Sequence, residues 1–263
     1  MSHDPAPSSA RPLRDAAPDP RDEAPQYVLP LVVRIERAAP PARTDALETA
    51  ARAVLVLLAD ERAHGDGEWA EAVRNWEDAR IRKVVRRARG AEWRRAEALP
   101  GITLTGKSAE VRVFPPIPLD GWPKDLAKLQ VSGTELDDPE PPVATDPAQP
   151  VLWLNPDLEM SAGKAMAQAG HGAQLAWWAL PEAERTAWHG AGFPLSVRTA
   201  TPTDWPHLTT AGDVCGEDMA YGRRRAARPH PSAHRGRHMN AAREDGRGLF
   251  RLRGQAHPLD PPP

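Results

Sequence analysis

The sequence predicts an α/β protein: small mixed β-sheets flanked by helices in three layers, built as two tandem copies of one unit, the first copy degenerate. Three observations predict it. Apolar runs rich in β-branched residues alternate with segments of helical spacing along most of the chain. An acidic, Pro-rich stretch, VSGTELDDPEPPVATDPAQP (131–150), divides that alternation in two and reads as a linker. Two tryptophan pairs mark like positions: Trp76 and Trp93 lie 17 residues apart, as do Trp188 and Trp205, each pair enclosing a strand and a helix start. The alternative is coincidence between two unrelated α/β segments.

The elements follow in order. Residues 1–26 are Pro, Asp, Arg and Ala with little to bury, which predicts disorder. YVLPLVVRI (27–35) predicts a strand, and from Thr44 the run TDALETAARAVLVLLADER predicts a helix. GEWAEAVRNWEDARIRK predicts a second helix, KVVRRA a short strand, AEWRRAEAL a helix, AEVRVF a strand and LDGWPKDLAKLQ a closing helix, completing a first unit over 27–130. The order then restarts. VLWL (151–154) predicts a strand, 162–180 a helix, PEAERTAWHG a helix begun by proline, FPLSVRTA a strand, and TPTDWPHL a further helix with Thr201 or Thr203 as its cap. This second unit, 151–210, is incomplete. Residues 211–263 are rich in Arg, His, Pro and Gly without aliphatic periodicity and predict a basic disordered tail. Either the tail is a genuine RNA-binding extension, or a reading-frame change near 211–215 has replaced the last strands.

Composition narrows the function classes. The net charge of −2 argues against a wholesale polyanion binder, yet it conceals strong local asymmetry. One cysteine, Cys215, excludes an internal disulfide, and the N-terminal segment lacks the apolar stretch of a signal peptide. No run of about 18 apolar residues suits a membrane span, so a cytoplasmic protein without membrane contact is expected. His230, His234 and His238 recur every four residues, but Pro229, Pro231 and Gly236 break any helix there, and no metal or cofactor is expected. The carboxylates of DDPE (137–140) read as a solvated linker rather than an acid/base pair.

One stretch reads as chemistry: NPDLEMSAGKAMAQAGHGAQLAWWAL (155–180). At 100° per residue, Lys164, Gln168 and His171 fall within about 60° on one helix face. Gly163, Gly170 and Gly172 each cost about 1 kcal/mol of helix propensity relative to alanine. That cost is understandable where another backbone or a ligand approaches closely. Gly163 and Lys164 in the first turn would offer N–H groups and an ammonium to an anion. MSAGKA is no P-loop, since it lacks the upstream glycine and the Ser/Thr after lysine.

DLEMSAGKAMAQAGHGA (157–173) resembles the signature helix of the peptidyl-tRNA hydrolases of the archaeal and eukaryotic type. The matching positions are Asp157, Leu158, Met160, Gly163, Lys164, Ala167, Gln168 and His171, with Gly172 where alanine is usual. The resemblance implies metal-free hydrolysis of the ester joining a peptide to the 3′ end of tRNA. It further implies that Lys164 faces the phosphate or oxyanion, that His171 orients or deprotonates water, and that Gln168 holds the carbonyl or a neighbouring element. Ser161 and Gly163 would join Lys164 in binding the substrate. The expected partner is peptidyl-tRNA, with the two units packed on each other or the chain forming a homodimer. The family's Asp-Ala-Gly turn and Pro-Gly-Thr strand start are missing; Asp213 lies in the right region without the Ala-Gly. A non-catalytic tRNA- or RNA-binding protein descended from the same family is the alternative.

Overall fold

The computed structural model describes residues 25–146, 149–210 and 221–222. Residues 1–24 of the expected N-terminal disorder, Asp213, Cys215 and all of the expected tail except 221–222 lie outside the described residues.

The first sheet has five strands. β1 (Tyr27–Arg34) is central, parallel to β2 (Arg82–Ala88) on one side and antiparallel to β4 (Glu110–Val113) on the other; β3 (Ile102–Thr105) pairs outside β4. β5 (Ile117–Pro118) adds a short antiparallel pairing to Tyr27 and Val28. A central strand is covered on both faces and so reads as a continuous apolar run. Leu29, Leu31 and Val33 face one core, while Val32 faces a smaller one with Ala88, Trp93, Ala96, Phe114, Leu126 and Leu129. That smaller core lies under α3 (Gly90–Glu97) and α4 (Lys124–Ala127).

The opposite face carries the long helices α1 (Arg43–Ala59) and α5 (Ala162–Ala179), which pack along each other. A second sheet has three strands: β6 (Val151–Leu154) is parallel to β7 (Ser196–Thr199) and antiparallel to β8 (Tyr221–Gly222). α1 touches β3, β4 and β7, and α5 touches β2, β6 and β8, so the helix pair lies between the two sheets. Leu29 and Leu31 of the first sheet share one buried cluster with Leu152, Leu154 and Val197 of the second. The chain is a mixed α/β protein, and its two halves are fused through one core. α2 (Ala70–Asp78), α6 (Glu182–Gly190) and α7 (Trp205–Thr210) complete the set.

The two halves agree in local detail. Trp76 Nε1 donates to the Arg82 carbonyl at 2.8 Å, and Trp188 Nε1 to the Pro194 carbonyl at 3.0 Å, six residues on in each case. Each tryptophan carbonyl accepts the N–H of a residue held at positive φ, Ile81 at 45° and Phe193 at 56°. Each turn then feeds a strand parallel to the first strand of its half.

Several expectations change. The second helix ends at Asp78 rather than running to Lys83, because the chain reverses at Ile81 and Arg82 already belongs to β2. The closing helix shrinks to one turn, Lys124–Ala127. β3, β5 and β8 were not expected. The linker is pinned: Thr134 and Leu136 are buried, and while Asp137 and Glu140 stay exposed as expected, Asp138 between them is partly buried. It accepts from the Thr44 N–H at 2.8 Å and the Thr44 hydroxyl at 2.7 Å, satisfying the start of α1, whose own N-cap, Ala42, has no side chain to do so. Of the two expected caps, Thr201 accepts from the Asp204 N–H at 3.0 Å in the turn that leads into α7, which itself begins at Trp205.

Candidate functional site

Ser161 opens α5 as its N-cap, its hydroxyl accepting from the Lys164 N–H at 3.5 Å. Lys164 itself is exposed. Gly163 is buried, and its N–H donates to Thr134 Oγ1 at 3.1 Å. A Cβ on Gly163 would sit 2.8 Å from that same oxygen. The glycine therefore admits the 131–146 connection, and its N–H is already used rather than offered to an anion. Gly170 has the same role against α1, where a Cβ would come within 2.8 Å of Val54 Cγ2. Of the two explanations for these glycines, close packing is the one observed.

Gln168 is partly buried, and its carbonyl oxygen is covered and accepts no hydrogen bond among the described residues. At 1.5 Å per residue it lies about 6 Å along the axis from Lys164, whereas His171 lies about 10 Å away. Lys164 and Gln168 can meet around one small group. His171 belongs to a different environment. Burial first, and the charge of Lys83 second, push its pKa down to about 3.

That environment is a polar seam between α5 and the first half of the chain. Lys83 of β2 donates from Nζ to Gln174 Oε1 at 2.5 Å and to the Ile81 carbonyl at 3.3 Å, with Nζ 4.8 Å from the Trp76 ring centre. Part of Lys83 meets solvent, but its amino group is enclosed. Burial holds that amine well below the usual lysine range, against the pull of Glu77. Burial likewise pushes the Glu77 carboxyl up, opposed by a hydrogen bond from Trp178. Gln174 is fully buried, and its Nε2 finds no acceptor among the described residues. Sequence reasoning missed Glu77, Lys83 and Gln174. Gln174 was within reach, standing one turn beyond His171; the lysine, a charge within a valine-rich strand, gave no sign of its partner 91 residues away.

A cleft of about 430 Å³ opens elsewhere, lined by Glu48, Arg52, Lys107, Val143, Leu195 and Arg198 among others. No α5 residue lines it, and one of its arginines, Arg198, is paired with Glu48 at 2.6 Å. Glu48 also accepts the Val197 N–H at 3.2 Å, tying α1 to β7. Among the described residues no group of three or more His, Cys, Asp or Glu is placed to hold a metal ion, and no helix is long and apolar enough to cross a membrane.

Fold and site together define a mixed α/β protein with a capped, glycine-bearing helix that presents one lysine outward and buries a polar seam inward. No protein-family model matches the chain, and no curated protein or solved structure does.

Proposed function

We propose that the first two turns of α5 form an ester-hydrolysis site for the 3′ end of peptidyl-tRNA, and that the two halves of the chain are copies of one hydrolase-like unit. The observation that carries the proposal is the exposed Lys164, set in the first turn of a helix capped by Ser161 and four residues before Gln168. An ammonium at a helix N-terminus sits where the macrodipole already favours negative charge. It is suited to an RNA phosphate or to the oxyanion that forms as the ester carbonyl is attacked. Gln168, one turn on, supplies an amide beside that position. The like tryptophan turns of the two halves support the duplication.

His171 takes a changed role in this reading. A general base serves best with a pKa near the working pH. An imidazole at about 3 is neutral throughout that range and weakly basic, so His171 orients groups in the seam rather than taking a proton from water.

The test is kcat/KM for release of an N-blocked amino acid from its tRNA. Lys164→Ala is expected to lower it by about 10²–10³, the cost of one oxyanion donor. Unchanged turnover in that variant would remove the proposal. A binding protein without catalysis is the second reading, favoured by the enclosure of His171 and Lys83. It predicts tRNA affinity that depends on Lys164 with no ester release.

A further inference from the structure

Between Arg80 and Glu97 the sequence holds eight basic residues and two acidic ones, in a chain whose net charge is −2. The fold concentrates that excess on β2, the end strand of its sheet, and on α3. The outer edge of β2 meets one bridge among the described residues, Arg87 to Gln130. Arg82 is exposed, and Arg86, Arg87 and Arg89 are partly exposed.

Two of these arginines are fixed in place without losing their charge. Arg86 donates to the carbonyls of Ala127 and Leu129 and lies 4.2 Å over the Trp122 ring. Arg87 donates to the Ser132 carbonyl at 2.8 Å and to the Gln130 side chain. Among the described residues no carboxylate comes within ion-pair distance of Arg82, Arg86, Arg87 or Arg89, and the one carboxylate that feels the charge of any of them is Glu36, near Arg89. A guanidinium held by carbonyls and an aromatic ring keeps its full charge for a partner, and has already given up the side-chain freedom that binding would cost.

The strand also leads somewhere. Lys83, near its start, meets Gly170 and Gln174 in the middle of α5, whereas Arg87, near its end, touches Gly133. The neighbouring Thr134 holds the Gly163 N–H. Arg87 and the first turn of α5 thus flank one short stretch, 132–134, within about 15 Å by chain geometry.

We propose that the arginines along β2 and just beyond it, Arg82, Arg86, Arg87 and Arg89, bind the phosphate backbone of an RNA helix and lead it to Lys164. The four positions span roughly 23 Å at about 3.3 Å per residue, enough for several phosphates of one strand. The contact is independent of sequence, since arginines that meet phosphates carry no base readout. Lipid is a poorer partner, because the aromatic ring beside these arginines lies under Arg86 rather than projecting for insertion. The inference rests on the proposed tRNA substrate, and its test separates the two.

The experiment is fluorescence anisotropy of labelled, deacylated tRNA across a KCl series. The full chain is compared with the double variant Arg82→Gln/Arg89→Gln, whose two side chains donate no hydrogen bond within the described fold. The log–log salt slope is expected to fall by about 1 for each arginine removed, and about 2 in the double variant. An unchanged slope, no tRNA binding by the wild-type chain, or binding to phosphatidylserine vesicles in place of tRNA would overturn the surface. Ester release measured on the same proteins distinguishes the failures. A reduced slope with no wild-type turnover keeps the surface and removes the hydrolase. Turnover with KM unchanged in the double variant keeps the hydrolase and removes the surface.

Discussion

His171 shows how far residue-scale reasoning reaches. The sequence placed it on one face with Lys164 and Gln168, and the helix does carry all three there. What the spacing could not supply was the neighbour on that face, since Lys83 comes from a strand 88 positions earlier. The consequence is testable through pH. A histidine whose pKa drops from 6.5 to about 3 on folding binds its proton more tightly in the unfolded chain. Its contribution to stability is therefore full above pH 6.5 and is lost as pH falls toward 3. In urea unfolding, His171→Gln should lose less stability between pH 7 and pH 4.5 than the wild type does. An equal loss in both would mean that His171 titrates normally. The glycines teach the same lesson. Their cost was legible in the sequence, but whether a ligand or a neighbouring helix justified it was not.

At the scale of elements, the helices were legible wherever an apolar stripe was long and uninterrupted, as in α1 and α5. The missed strands are short and draw their stability from pairing that no local pattern reveals. β3 lies between Gly101 and Gly106 with β-branched Ile102, Thr103 and Thr105, a signal present but brief. β5 spans two residues, and one of them is proline. The α1–α5 contact gives a direct test of element packing. Gly170→Ala gains about 1 kcal/mol of helix propensity but places a methyl 2.8 Å from a methyl of the fully buried Val54. Overpacking of that kind costs about 1–3 kcal/mol, so a net loss of stability is expected. Gly190→Ala, whose new methyl meets nothing within 4 Å, should be neutral or mildly stabilising by the same denaturant measurement. A stabilised Gly170→Ala variant would show that the two helices do not approach this closely.

For the whole molecule, the sequence predicted two units joined by a linker, packed on each other or paired in a homodimer, and the structure packs the two halves on a common core. Thr134 and Asp138 of the linker hold the starts of α5 and α1, and Glu48 and Lys83 each reach from the first half into the second. Such a body should unfold in one cooperative transition, with tryptophan fluorescence and far-ultraviolet circular dichroism tracing the same curve. Two separated transitions would mean that each half carries a core of its own. The fusion also gives the first half a definite part in the fold: α1 and β2 supply the surface on which α5 is seated.

The measurement closest to the central claim is release of a labelled N-blocked amino acid from tRNA under single-turnover conditions, with the purified full-length chain in excess. If α5 forms an ester-hydrolysis site, the wild-type chain releases the label well above the spontaneous rate, and Lys164→Ala returns release close to that rate. Release at the spontaneous rate by the wild-type chain, or equal release by the Lys164→Ala variant, would contradict the account.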